Sequence, residues 1–382
     1  MNTFSIKDIC KIGSSKRIFA SEYTKKGIPF FRSTEVIELA NKKTFVPDFY
    51  ISENKYSEIA QKFPVPQNSD ILIAAIGANM GTVYFVNLNY KFYFKDGNVI
   101  WLREFENTVN PKYLYYWLTT QKGYKELCNT AIGSAQRALT IDKIGNIKFK
   151  VPNINVQQHI VDIIGSLDNK IENNNKLLEK CYIFLNLNMK KLMIGKDKKI
   201  ISSFDDIEII SSGIDKFNSG KIYLDTSCVS DNSIVDISNK VTYTDRPSRA
   251  NMKPIKNSVW FAKLKSSPKH IIVKDYSNEI LDNCIFSTGF LGIKIDNVKF
   301  NLLSTYFTSD VFEKEKDSLS IGATMQSINN VTFKGMYIPN FSPTDYISFN
   351  NLSEPILKLI YKTELENIKL RKLKNIYLAK FF

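Results

Sequence analysis

The sequence predicts two copies of one mixed α/β (α+β) plan, each ending in a long helix, with the two helices paired antiparallel. Three observations lead there. Landmarks recur in one order at an offset of about 190 residues. Short β-type runs are punctuated by Gly, Pro, Asn and Ser. A heptad pattern closes the first copy.

The landmarks justify the repeat. Gly27-Ile28-Pro29-Phe30-Phe31 resembles Gly220-Lys221-Ile222-Tyr223-Leu224. Asn68-Ser69 leads into the apolar run Ile71 to Ala74, as Asn257-Ser258 leads into Val259 to Ala262. Gly97 stands before NVIWL, and Gly289 before FLGIKI. Ile132-Gly133-Ser134-Ala135 matches Ile321-Gly322-Ala323-Thr324, and Val151-Pro152-Asn153 matches Ile338-Pro339-Asn340. Each match is weak alone. The shared order and narrow spread of offsets make chance a poor explanation.

Within each copy the strands come first, in runs such as SDILIAAIG, NVIWLRE, SVWFAKL and FLGIKI. A short helix follows in the first copy, where Asn110 suits the N-cap and Pro111 the first turn. Asn301 to Phe307 is its counterpart. Next come the Ile-Gly loop, a strand ending in Pro, and a helical tail. In the first tail Ile164, Ile171, Leu178, Leu185 and Leu192 recur by sevens, and Ile160, Leu167, Asn174, Cys181 and Asn188 hold the complementary heptad position. Asn174 and Asn188 interrupt the seam, either as buried amides that fix register or as solvated residues at its margin. The second tail carries a broader stripe, Leu352, Ile356, Leu359, Ile360, Thr363, Leu370, Leu373 and Tyr377. At ~1.5 Å per residue each tail would reach roughly 50–60 Å. Each would seek a partner, and pseudo-twofold pairing of two repeats would make the other tail that partner. The segments read from the sequence are 1–152, helix 153–195, 196–340 and helix 341–382.

Composition narrows the function. The 382 residues include 52 Lys+Arg against 38 Asp+Glu, a net charge of +14 that favours a polyanionic partner. The alternative is a merely solubilising basic surface. With 43% hydrophobic and 13% aromatic residues the chain can bury cores, which excludes global disorder. No apolar run approaches the ~20 residues of a membrane span, and the N-terminus lacks a signal-peptide pattern, so a cytoplasmic location is expected. Five dispersed cysteines form no CxxC, and His159 and His270 are the only histidines, so neither a zinc site nor a disulfide framework is indicated. No GxxxxGK[ST] loop or glycine turn for S-adenosylmethionine is present. Asn110-Pro111-Lys112-Tyr113 departs from an adenine methyltransferase motif at Lys112 and reads as a helix start.

The repeat plan, the run Ile147 to Ile160 (IKFKVPNINVQQHI) leading into Leu167-Asp168-Asn169-Lys170-Ile171-Glu172, and the pattern Phe349…Pro355-Ile356…Glu364…Leu370-Arg371 together resemble the specificity subunits of type I restriction–modification systems. The second copy has Thr344-Asp345-Tyr346-Ile347 where the first has its glutamines. The resemblance covers essentially the whole chain. It implies two target-recognition domains, each reading half of a bipartite double-stranded DNA site. The antiparallel helices would set the spacer and dock two methyltransferase subunits, and motor-nuclease subunits would complete the complex. It implies no cofactor in this chain: S-adenosylmethionine would serve the methyltransferases, and ATP and Mg²⁺ the motor.

Reading bases requires Arg, Asn, Gln or Ser on loops, with lysines on phosphate. The candidates in the first copy are Arg32, Ser33, Asn79, Ser134, Gln136 and Arg137. In the second they are Arg246, Ser248, Arg249, Lys263, Lys265, Ser266 and Gln326. Gln136 and Gln326 both follow the shared Ile-Gly closely, as base readers or as caps of a turn. Arg246 is placed either to touch DNA or to pair with Asp245. Lys263 and Lys265 suit phosphate better than bases. The partner and coiled-coil set is Ile160, Ile164, Leu167, Ile171, Asn174, Leu178, Leu185, Leu192, Ile356, Leu359, Leu370 and Leu373. Two other classes compete: a non-catalytic repeat-built protein-binding scaffold, and a stand-alone DNA-modifying enzyme that the missing cofactor motif disfavours.

Overall fold

The computed structural model of the chain describes residues 2–42, 45–133, 137–322 and 325–382. The mixed helix-and-sheet class expected from the sequence is the one found. The chain forms two compact units, Met1–Asp168 with Leu373–Phe382, and Asn169–Lys372. These units cut across the four sequence segments, because each long helix contributes turns to both. The first unit's core takes Ile160 and Ile164 from the first helix and Leu378 from the second.

The first unit is built on an antiparallel sheet in the order Lys11–Gly13, Val99–Arg103, Ile71–Ala74, Val83–Phe85. Ile71–Ala74 is buried along its whole length, as a continuous apolar run between two neighbours should be. A second sheet runs Tyr23–Thr24, Tyr50–Ile51, Ile28–Phe31, Tyr93–Phe94, with the last pair parallel. Asn2–Ser5 pairs antiparallel with Lys148–Val151 and closes the unit just before the long helix. The helix Pro111–Thr119 starts as its sequence dictates: Asn110 Oδ1 accepts the Lys112 N–H at 2.9 Å and Pro111 needs no partner there.

The second unit repeats the main-sheet order and the parallel pair of the second sheet, whose edge strand differs. Its main sheet runs Ile207–Ile209, Phe290–Ile295, Ser258–Ala262, His270–Val273, again antiparallel. Its second sheet runs Lys240–Val241, Lys221–Leu224, Cys284–Ser287, Ala250–Met252, with one parallel pair. Lys198–Ile200 pairs with Tyr337–Pro339, as the first strand of the other unit pairs with its last.

The first long helix spans Ile154–Met193 and the second Pro343–Phe381. Ile160, Ile164, Ile171, Asn174, Leu178, Cys181 and Leu185 are buried along the first. Leu167 and Leu192 are half-buried. The seam then moves to Met189, fully buried, in place of Asn188, whose amide donates to the Phe184 carbonyl of its own helix. A straight helix drifts away from a strict seven-residue repeat, which accounts for the shift. The two asparagines thus take different roles. Asn174 Nδ2 donates to Asn367 Oδ1 at 3.0 Å and to Glu366 Oε2 at 2.7 Å, and Asn367 Nδ2 donates to Asn175 Oδ1 at 2.9 Å. Inside the second unit the Asn174–Asn367 and Tyr182–Glu364 contacts run the two helices antiparallel. On the second helix the buried stripe is Ser353, Leu357, Ile360, Thr363 and Asn367. Ile356 and Leu370 are half-buried beside it, whereas Leu359 and Leu373 lie on exposed flanks.

Candidate nucleic-acid interface

Each unit brings together the loop that leaves its central strand and the hairpin that follows its paired short helices. In the first unit, Ile132 and Ala138 exchange backbone hydrogen bonds at 2.9 Å, and Leu139 N–H donates to the Ala75 carbonyl at 2.9 Å. Ala138 also bridges to Ile76, so the hairpin lies along the Gly77–Gly81 loop. That loop needs its glycines: Gly77 has φ +89° and Gly81 φ +87°, where L side chains are strained. Asn79 is exposed on this loop. Arg137 is exposed at the hairpin's closing end and donates Nη2–H to the Cys128 carbonyl at 2.9 Å. Ser134 and Gln136 lie outside the described residues.

The second unit builds the same pair. Ile321 and Ser327 exchange bonds at 3.1 and 3.0 Å, Ile328 N–H donates to the Lys263 carbonyl at 2.9 Å, and Ser327 bridges to Leu264. Lys265 N–H donates to the Gln326 carbonyl at 2.9 Å, and Lys265 Nζ to Gln326 Oε1 at 2.7 Å. Lys263, Lys265, Ser266 and Gln326 are therefore one cluster. Burial holds the half-buried Lys263 ammonium below the usual lysine range. Ser266 has φ +56°, and its N–H is held by both carboxylate oxygens of Asp317 at 3.1 Å.

The remaining candidates sit differently. Arg32 caps the helix Ser33–Ala40, and its fork is occupied by Glu35 Oε1 at 2.6 Å and Asp48 Oδ2 at 2.5 Å. Ser33 is buried and donates its hydroxyl to the Asn98 carbonyl, which also receives the Ala75 N–H, so it supports the first unit's loop from behind. Arg246 does not pair with Asp245. Its guanidinium donates to the carbonyls of Ala250 and Tyr243 at 3.1 and 2.8 Å and lies over the Tyr243 ring. Ser248 and Arg249 are exposed. The Arg249 carbonyl accepts the Thr288 N–H, one residue before Gly289, whose carbonyl receives the Lys263 N–H. Arg249 thus borders the same loop.

Three supports escape a sequence reading. Lys316 is fully buried under the second unit's loop, where Nζ donates to the carbonyls of Ala262 and Leu264 at 3.2 and 3.3 Å. Its ammonium meets Glu313 Oε2 at 2.9 Å, outside hydrogen-bond angles, and Asp317 Oδ1 at 3.6 Å. His270 is buried, with its ring nitrogens 2.8 Å from Asn232 Oδ1 and 2.9 Å from Glu313 Oε1. Gln157 is fully buried in the first unit: Nε2 donates to the carbonyls of Thr108 and Pro152, and Oε1 accepts the Asn110 N–H. The second copy has no such amide; there Asp345 binds Ser342 and Lys196. The signal for Lys316 was its place four residues after Phe312, on the inward face of a charged helix. Among the described residues, no group of three His, Cys, Asp or Glu side chains is placed to hold a metal ion, and no helix is long and apolar enough to cross a membrane.

A loop and hairpin of the same make, carrying exposed Arg, Asn, Gln or Lys side chains, thus occur once in each unit. Residues 1–181, just under half of the chain, match the family described as type I restriction modification DNA specificity domain. The chain is 32% identical over 162 residues to a putative type I restriction enzyme specificity subunit of Haemophilus influenzae. It is 25% identical over 200 residues to the MjaVIII specificity subunit of Methanocaldococcus jannaschii. These matches cover 42 and 50% of this chain, but only 38 and 45% of those relatives. The type I restriction–modification S subunit of M. genitalium has the same fold, with a TM-score of 0.56 at 14% identity over 100% of this chain and 96% of that one.

Proposed function

We propose that the chain is the DNA sequence-specificity subunit of a type I restriction–modification complex, each unit reading one half of a bipartite double-stranded target. The observation that carries this reading is the loop pair built twice, once beside each central strand, with polar and cationic side chains left exposed. Asn79 and Arg137 in one unit, and Gln326 in the other, are of the types that reach base edges, as are Ser134 and Gln136. Lys263, Lys265 and Arg249 suit phosphate contacts that release counterions. Ser33 and Ser266 hold these loops in place, whereas Arg32 and Arg246 are engaged within their own segments.

In this reading the long helices set the unread spacer and dock two methyltransferase subunits. Exposed Ile183, Phe184 and Leu187 on the first long helix support docking, since a row of uncovered apolar side chains is costly in water. Methyl transfer from S-adenosylmethionine, and ATP- and Mg²⁺-dependent translocation and cleavage, belong to the partners. This chain selects the bases and positions the chemistry, in the cytoplasm.

The test is a titration of the assembled subunit–methyltransferase complex against genomic DNA fragments at several salt concentrations. Sequence-selective retention that falls steeply between about 50 and 200 mM salt is expected. Salt-insensitive association with partners and no retention of DNA would instead support a protein-binding scaffold.

A further inference from the structure

We propose that Arg137 and Gln326 occupy one and the same base-reading position in the two units, selecting guanine in one half-site and adenine in the other. The inference rests on the DNA-recognition reading above and assigns it a residue-level rule.

The register comes from the hairpins. Ile132 pairs with Ala138 and Ile321 with Ser327, so both hairpins close over the same span. The closing residue of each bridges to the loop after the central strand, at Ile76 in one unit and Leu264 in the other. The residue just before closure is therefore in the same place in each unit. It is Arg137 in the first and Gln326 in the second, and both are exposed. The sequence landmarks agree: with Ile132-Gly133 set on Ile321-Gly322, Arg137 falls opposite Gln326 and Gln136 opposite Met325.

The second hairpin meets something other than water. Met325 is 72% exposed and Ile321 58% exposed, beside exposed Leu264. Apolar side chains of this kind fit the thymine methyl groups that line the major groove.

The chemistry at the matched position separates the two half-sites. A guanidinium offers only donors, in a fork that fits the two acceptors of guanine. Arg137 anchors one Nη2–H on the Cys128 carbonyl, which fixes the plane of the group and leaves its other N–H groups to donate. A carboxamide offers one donor and one acceptor, the complement of adenine's edge. Gln326 Oε1 accepts the Lys265 ammonium in the free chain. On DNA, adenine's amino group would replace that ammonium, freeing Lys265 for a phosphate.

The experiment exchanges the two side chains in the full-length chain, co-expressed with its methyltransferase partner, and reads the methylated motif by long-read sequencing of the host genome. R137Q should turn one guanine of one half-site toward adenine, and Q326R one adenine of the other half-site toward guanine. In each case preference should shift by about 5- to 150-fold, the range of one bidentate contact, with the opposite half-site unchanged. R137K keeps the charge without the fork and should relax that base while methylation persists. A methylated motif that neither exchange alters, or an R137K variant that keeps full selectivity, overturns the assignment. A wild-type complex that marks no bipartite motif overturns the DNA-recognition reading itself.

Discussion

Replacing Lys316 with methionine tests whether a buried ammonium holds the second unit's loop. The side chain is 0% exposed, and its nitrogen is shared by the Ala262 and Leu264 carbonyls and the Glu313 and Asp317 carboxylates. K316M keeps most of the apolar stem but removes the charge. Glu313, 8% exposed, would then keep only His270 as partner, and two carbonyls would lose a donor. Removing one partner of a buried ion pair costs about 3–5 kcal/mol, because the surviving charge stays buried and uncompensated. K316M should therefore destabilise the second unit by about that amount. The double variant E313Q/K316M, which leaves no stranded carboxylate, should recover about 1–3 kcal/mol of it. The assay is urea unfolding followed by hydrogen exchange, which reports each unit separately. The Lys265 and Ser266 amides, bonded to Gln326 and Asp317, should lose protection first. A K316M protein within about 1 kcal/mol of wild type, with those amides still protected, would refute the reasoning.

Two further perturbations probe the helices inside the second unit. N174A should cost about 1–3 kcal/mol, because it strands the buried Asn367 oxygen that Asn174 serves, whereas N188A should stay within about 0.5 kcal/mol; equal effects in denaturant melts would contradict the different roles of the two amides. Glu364 faces the Tyr182 hydroxyl at 3.2 Å and the Arg371 guanidinium, and burial pushes its carboxyl up to about 8. A carboxyl that binds its proton more tightly when folded stabilises fully below the ordinary carboxylate range and loses that contribution as pH rises toward 8, by at most about 1.4 kcal/mol per pH unit. Stability measured between about pH 5 and 8 should therefore fall with pH in wild type and flatten in E364Q, and parallel curves would rule this out.

Much of this was legible in the sequence. The repeat survived because each unit needs the same strand order to bury the same faces, so Gly, Pro and apolar landmarks stayed in sequence even as side chains diverged. Asn110 and Pro111 signalled their helix through local chemistry alone. Other features depend on contacts that no local pattern encodes. Asn188 and Met189 are neighbours, and which of them enters the seam depends on helical drift accumulated over several turns. On the second helix two apolar stripes lie side by side. The stripe read from the sequence held Ile360 and Thr363, which are buried, and Leu359 and Leu373, which are not, and it lacked Leu357 and the polar Ser353 and Asn367 of the buried line. Lys316 and His270 are of types usually solvated, and no local pattern shows that Glu313 and the strand-end carbonyls hold them inside. The Ile-Gly landmark already sets Arg137 opposite Gln326, and the Ile132–Ala138 and Ile321–Ser327 pairings keep that alignment.

The central claim is that one chain carries two independent readers of one DNA target. It is tested most directly by replacing residues 1–150 with the matching segment of a relative and sequencing the methylome of cells that carry the hybrid with its methyltransferase. The account predicts a bipartite motif in which one half changes and the other half is retained. A motif altered in both halves, or in neither, would contradict it.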